Sequence, residues 1–116
     1  MPRRMSFQLT IRQMLEGTKN VTRRIGWRFL KPGDIVIAVE KCQGLKKGEK
    51  QVQIYPIRIL STRDEPLFMI TPDECIREGF PEMTPIEFVK MFCGTNNCLP
   101  TRQINRIRFE RYWGAI

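Results

Sequence analysis

Apolar side chains recur along this chain with two different periods, and the switches between them mark out the elements. Ser6-Phe7-Gln8-Leu9-Thr10 alternates polar with apolar, the period of a strand with one buried face. Ile11, Met14 and Leu15 then recur at helical spacing, and Gly17 stands where such a helix would stop. Residues 18–24 read as a connection with Val21 and Ile25 turned inward, and residues 27–30 as one helical turn. Lys31-Pro32-Gly33-Asp34 carries proline and glycine where a tight turn favours them. The β-branched run from Ile35 to Lys41 follows as a strand, and residues 44–50 as a polar, hairpin-like loop. From Gln51 to Arg63, Val52, Ile54, Ile57 and Ile59 mark a longer strand. Pro56 within it predicts a bulge or an edge, because proline brings no N–H to a ladder.

Two helices are signalled next by their starts. Thr71-Pro72-Asp73-Glu74 offers a cap, a first-turn proline and two acids where the helix dipole favours them, opening a helix to about Glu78. Thr84-Pro85-Ile86-Glu87 is a capping box, and its helix should run to about Cys93, with Ile86, Val89 and Met91 or Phe92 toward the core. Ile104 to Trp113 alternates again as a closing strand. Strands with helices inserted between them, and no regular alternation of the two, predict an α+β domain: a small curved sheet or barrel with short helices. At 116 residues the chain suits one domain, residues 1–116, with one real core.

Charge changes the picture. Twenty Lys and Arg against twelve Asp and Glu give a net charge of +8, which draws polyanions to the surface. Histidine is absent, so nucleophiles that need imidazole and histidine-ligated metals are excluded. The four cysteines lack the paired-knuckle spacing of a zinc site and read as reduced thiols, so no metal and no cofactor is expected. No apolar run is long enough to span a membrane, and the basic start has no apolar core of a signal peptide. A cytoplasmic protein is the expectation.

The densest chemistry lies in Gly17-Thr18-Lys19-Asn20-Val21-Thr22-Arg23-Arg24. In an extended segment Thr22 and Arg24 share one face, with Lys19 at the turn beside them. A cation, a hydroxyl and a guanidinium around one spot suit a phosphate, a carboxylate or a carbonyl oxygen. A solvated basic loop has the same composition. Arg102, Arg106, Arg108 and Arg111 form a second basic stripe on the last strand, and Lys46, Lys47 and Lys50 a third, on the loop.

This segment, the Lys31-Pro32-Gly33-Asp34 turn and Glu78-Gly79-Phe80, in that order, resemble the ASCH family of the PUA-like superfold over roughly residues 6–113. The resemblance implies a small PUA-like β-barrel with a cleft for a nucleobase or an RNA segment. In one bacterial branch it implies hydrolysis of the amide of N4-acetylcytidine by a lysine, a threonine three residues on and a downstream glutamate. Those positions match Lys19, Thr22 and Glu78, with Glu82 as the second candidate for the acid. Arg23, Arg24, Trp27 and Lys41 are then the candidate contacts to a modified nucleoside or RNA. Other members imply a non-catalytic RNA-binding module or a ribonuclease. Two roles compete for Lys19. Isolated near arginines it would lose its proton and act as base; in contact with Glu78 it would keep it, and the glutamate would be the base.

Overall fold

A computed structural model describes residues 2–42 and 45–116. Gly44, the first residue of the polar loop expected at 44–50, lies outside the described residues, as does Met1. Among the described residues five strands and three α-helices follow one another as β1 (Arg4–Ser6), α1 (Ile11–Glu16), β2 (Val21–Arg24), β3 (Ile35–Val39), β4 (Gln53–Pro66), α2 (Pro72–Arg77), α3 (Pro85–Asn96) and β5 (Gln103–Arg111). Single 3₁₀ turns at Gln8–Thr10 and Leu67–Met69 join β1 to α1 and β4 to α2. The strands lie in the order β1-β3-β4-β5-β2, antiparallel except for the β1–β3 pair.

The α+β class expected from the sequence is what the strands and helices form. The expected barrel takes the form of an open sheet, since no backbone ladder joins the edge strands β1 and β2 among the described residues. One side chain spans that gap: Arg24 of β2 donates from Nη2 to the Ser6 carbonyl of β1 at 2.5 Å. β4 bends through a register shift between Ile59 and Ser61, which lets one long strand serve two cores. One core gathers Met5, Phe7, Met14, Val36, Ile57, Ile107 and Phe109; the other gathers Leu67, Ile70, Cys75, Phe88, Phe92 and Ile104. The candidate site opens where the two cores meet.

The caps form as the sequence requires. Thr71 accepts from the Glu74 N–H, and Thr84 and Glu87 cap each other's backbone in a capping box. Elsewhere the elements differ from their sequence signals for identifiable reasons. The first strand ends at Ser6, because Thr10 N–H turns back to the Phe7 carbonyl at 2.9 Å and coils the chain. Residues 21–24 are a strand rather than a connection, paired with β5. α3 runs three residues past Cys93 and stops at Asn97, whose φ of 50° is left-handed. It buries Phe88 and Phe92, an i, i+4 pair, with Val89 and Met91 packed beside them as expected, while Ile86 is 69% exposed and Phe88 takes the inward place expected of Ile86. Pro56 lies on β4 opposite Ile37 of β3, with a register shift close by at Ala38/Val39. Its own N and carbonyl face the end of β5, where the carbonyl accepts from the Tyr112 N–H at 2.9 Å and the missing N–H falls past the last ladder pair, Ile57 with Arg111.

Candidate functional site

Gly17 ends α1 in the left-handed conformation (φ 75°), with its N–H returned to the last turn, and so aims the chain into β2. β2 pairs with β5, setting Thr22 opposite Ile107 and Arg23 opposite Arg106. Strand geometry gives Thr22 and Arg24 one face, and Arg24 Nε donates to Thr22 Oγ1 at 3.0 Å. Arg23 points the other way, into the protein.

Glu78 arrives from the far half of the chain, at the end of α2. A helix leaves its last carbonyls without partners, and the α1–β2 segment supplies them. Asn20 N–H donates to the Arg77 carbonyl at 3.0 Å, Lys19 Nζ to that of Glu78 at 2.7 Å and Gln13 Nε2 to that of Gly79 at 3.1 Å. Gly79 makes the approach possible. Its φ is 96°, and a Cβ there would lie 2.9 Å from Gln13 Cγ and 3.4 Å from Lys19 Cβ.

Docked in this way, the Glu78 carboxylate receives Lys19 Nζ at 2.8 Å on one oxygen and Arg23 Nη1 at 3.3 Å on the other. The side chains of Lys19 and Glu78 are 2% and 4% exposed, which makes theirs a buried ion pair. Arg23 Nη2 also reaches Glu74 Oε1 at 2.8 Å and Glu65 Oε1 at 3.1 Å, while Arg106 grips Glu74 with two bonds of 2.7 and 3.0 Å. The buried cluster thus sets Lys19, Arg23 and Arg106 against Glu65, Glu74 and Glu78. Arg63 and Arg77 reach Glu65 and Glu74 from its more exposed side, and Arg24 stands beside it with no carboxylate partner among the described residues.

Titration follows from this packing. Burial pulls the Lys19 ammonium below its usual value; the Glu78 carboxylate opposes that pull, and Arg24 and Arg23 add to it. Burial likewise lowers Arg24 to about 10. Burial pushes the Glu74 carboxyl up, but the hydrogen bonds from Arg106 and Arg23 outweigh it and hold the group at about 2. Lys19 uses two of its three N–H donors on Glu78, which leaves one without a protein partner among the described residues.

These groups line a cavity of about 380 Å³. Lys19, Thr22, Arg24 and Glu78 form its polar wall, and Phe7, Leu9, Phe80, Phe88, Met91 and Phe92 its apolar one. Of the residues singled out from the sequence, Lys19, Thr22, Arg23, Arg24 and Glu78 come together here. Arg23 lines the cavity with its charge already engaged by three carboxylates. Trp27 is not on the wall: it packs on the first core, 5.5 Å from the Phe29 ring. Lys41 is not on the wall either, and pairs with Glu49 at 3.3 Å. Glu82 is exposed and away from the cavity, so Glu78 is the acid that meets Lys19.

Sequence reasoning missed Glu65, Glu74 and Arg106 as the frame around Arg23, and missed Phe88 as an inward residue and both phenylalanines of α3 as a wall of the cavity. The i, i+4 spacing of Phe88 and Phe92 was the available signal for the latter. The four cysteines are free thiols, and Cys93 and Cys98 lie 4.0 Å apart. No group of three or more His, Cys, Asp or Glu is arranged to hold a metal among the described residues. No helix among them is long and apolar enough to cross a membrane.

No family model matches the sequence, and no curated protein matches it. Among solved structures, protein EF3133 from Enterococcus faecalis V583, of the family model DUF984, is similar to this chain with a TM-score of 0.64. The match covers 100% of this chain and 85% of that one at 15% identity. A likeness at that identity shows the fold alone.

Proposed function

We propose that this protein is an amidohydrolase that removes the acetyl group from N4-acetylcytidine or a related acylated nucleoside, with Lys19, Thr22 and Glu78 as its catalytic residues. The observation that carries the reading is the buried Lys19–Glu78 pair, 2.8 Å apart, on the wall of a cavity that also presents the Thr22 hydroxyl. A volume of about 380 Å³ suits a small ligand, and phenylalanine rings opposite a polar wall suit a flat base with an amide at its edge.

The contact between Lys19 and Glu78 supports the glutamate as base. In this reading the Thr22 hydroxyl, or a water it holds, attacks the amide carbon while Glu78 accepts the proton. Arg24 Nε–H, already donating to Thr22 Oγ1, stabilises negative charge as it grows on that oxygen. The free N–H donor of Lys19 meets the oxyanion, and the ammonium then gives a proton to the departing N4. Water completes the balance, so the products are acetate and cytidine. Arg24, which pairs with no carboxylate among the described residues, favours the oxyanion throughout.

The test is incubation with N4-acetylcytidine, following cytidine and acetate together. The wild type should turn over, and Lys19→Ala should fall by about 10²–10⁴-fold, as expected for loss of a general acid. No turnover at high enzyme, or full turnover by Lys19→Ala, would overturn the reading.

A further inference from the structure

A second concave surface lies on the other side of Lys19. A cavity of about 510 Å³, lined by Tyr55, Arg108, Arg111, Trp113 and Asn20, shares Lys19 with the first cavity. A third, also about 510 Å³, adjoins it and shares Glu110, Arg111 and Trp113. The second and third hollows run together in a row beside β5, and the buried Lys19 side chain divides them from the first. Such a row suits a linear ligand.

The chemistry of the row is cationic and aromatic. Arg108 and Arg111 are exposed, and neither makes an ion pair or a side-chain hydrogen bond among the described residues. The Arg111 guanidinium lies 4.5 Å from the Tyr55 ring centroid and 3.8 Å from that of Trp113, so two rings hold its plane. Trp113 is itself 78% exposed, an uncommon position for so large an apolar ring. Asn20 adds a buried amide oxygen with no partner among the described residues. The acids in the row are committed elsewhere: Glu110 pairs with Arg58, and Glu16 with Arg12 at 3.4 Å.

We propose that this groove binds single-stranded nucleic acid, with Arg108 and Arg111 on phosphates and Trp113 stacked on a base. Free cations alone would fit any polyanion. Cations interleaved with an exposed aromatic face fit a strand whose bases are splayed, because every base has a face to stack and every linkage a charge to neutralise. An acidic peptide would use the arginines and leave the tryptophan without a role. The proposal stands apart from the hydrolase reading and needs neither Thr22 nor Glu78.

The probe is a fluorescently labelled oligouridylate, with binding read by anisotropy across a salt series. Wild type should bind, and its affinity should fall steeply with salt. In Arg108→Ala/Arg111→Ala the slope of log affinity against log salt should shrink by about 1.4, the value for two single-strand phosphates that the protein no longer neutralises. Trp113→Ala should weaken binding by about 5- to 150-fold at constant salt with the slope unchanged. Lys90→Ala, which removes one charge from the exposed face of α3, should leave both unchanged. Arg108→Glu serves as a second variant, and thermal unfolding checks that each variant is folded.

No binding by the wild type at low salt would overturn the proposal. So would a double variant with the wild-type slope, or displacement by polyglutamate as effective as that by unlabelled oligouridylate. The two readings fail separately. Strand binding with intact N4-acetylcytidine removes the hydrolase and keeps the groove; turnover without arginine-dependent binding does the reverse.

Discussion

Arg106 and Arg108 stand two residues apart on β5, on the same side of the strand, and the protein uses them in opposite ways. Arg106 is held by two bonds to Glu74, beneath α2. Arg108 lies beyond the cover of that helix and meets no carboxylate among the described residues. The same contrast separates the two functional regions. Around Arg23 the charges are buried, paired and fixed in direction, which suits moving a proton between defined atoms. Along Arg108 and Arg111 they are exposed, unpaired and open to counterions, which suits capturing a charged chain. Net charge describes the second region and says nothing about the first. What matters for chemistry is which cations have already been neutralised.

The largest expected effect tests whether the buried region is a true unit. Glu78→Gln leaves Lys19 and Arg23 facing a neutral amide, and removing one partner of a buried pair costs about 3–5 kcal/mol. Urea denaturation should show that loss, together with loss of any hydrolase activity. Arg108→Ala should move stability by no more than about 0.5 kcal/mol. Equal shifts in the two variants would erase the contrast.

Glu74 offers the next largest effect, through pH. Its folded carboxyl titrates at about 2, below its ordinary value of 4.5. A carboxyl depressed by folding stabilises fully above its unfolded value, and loses that stabilisation as pH falls through the folded one. Stability should therefore decline between about pH 4.5 and 2, and Glu74→Gln should flatten that part of the profile. Denaturation midpoints measured across this range check it. A profile unchanged by the substitution would mean that Arg23 and Arg106 do not depend on Glu74.

Much of this arrangement was legible in the sequence, because it rests on local rules. Caps at Thr71 and Thr84, the left-handed Gly17, and the shared face of Thr22 and Arg24 each follow from a few adjacent residues. The meeting of Lys19 with Glu78 was not local. It depends on three donors of the α1–β2 segment finding three carbonyls at the end of α2, 59 residues away for the Lys19–Glu78 bond. Only the family resemblance joined those residues beforehand. The frame of Glu65, Glu74 and Arg106 was illegible for a related reason. An acid in the first turn of a helix has a sufficient local explanation in the dipole, and nothing in the sequence says that Glu74 also faces two arginines. Whether the sheet closes was not legible either, because strand periodicity gives the number of strands and not whether the first pairs with the last.

Gly79 gives a smaller expected effect and tests the docking that joins the two halves of the chain. Gly79→Ala forces a side chain into left-handed backbone at φ 96° and against Gln13, a strain of about 1–3 kcal/mol. The same methyl presses toward Lys19 Cβ, so hydrolysis should fall further than the stability loss alone explains. Circular dichroism melts and turnover measured on the same preparation separate the two.

The smallest effect is the one that most sharpens the comparison. Arg58 and Glu110 pair across β4 and β5 with side chains 47% and 41% exposed. An exposed pair contributes about 0.2–1 kcal/mol, because water already solvates both charges and salt screens them. Arg58→Ala should therefore scarcely move the melting midpoint. It does, however, release Glu110 into the wall of the groove beside Arg111. A carboxylate there repels phosphate, so oligouridylate affinity should drop while the fold is unaffected, and high salt should narrow the gap with wild type. If instead stability falls by more than about 1 kcal/mol and binding is unchanged, the exposed charges hold the fold together as the buried ones do, and the division of labour along β5 fails.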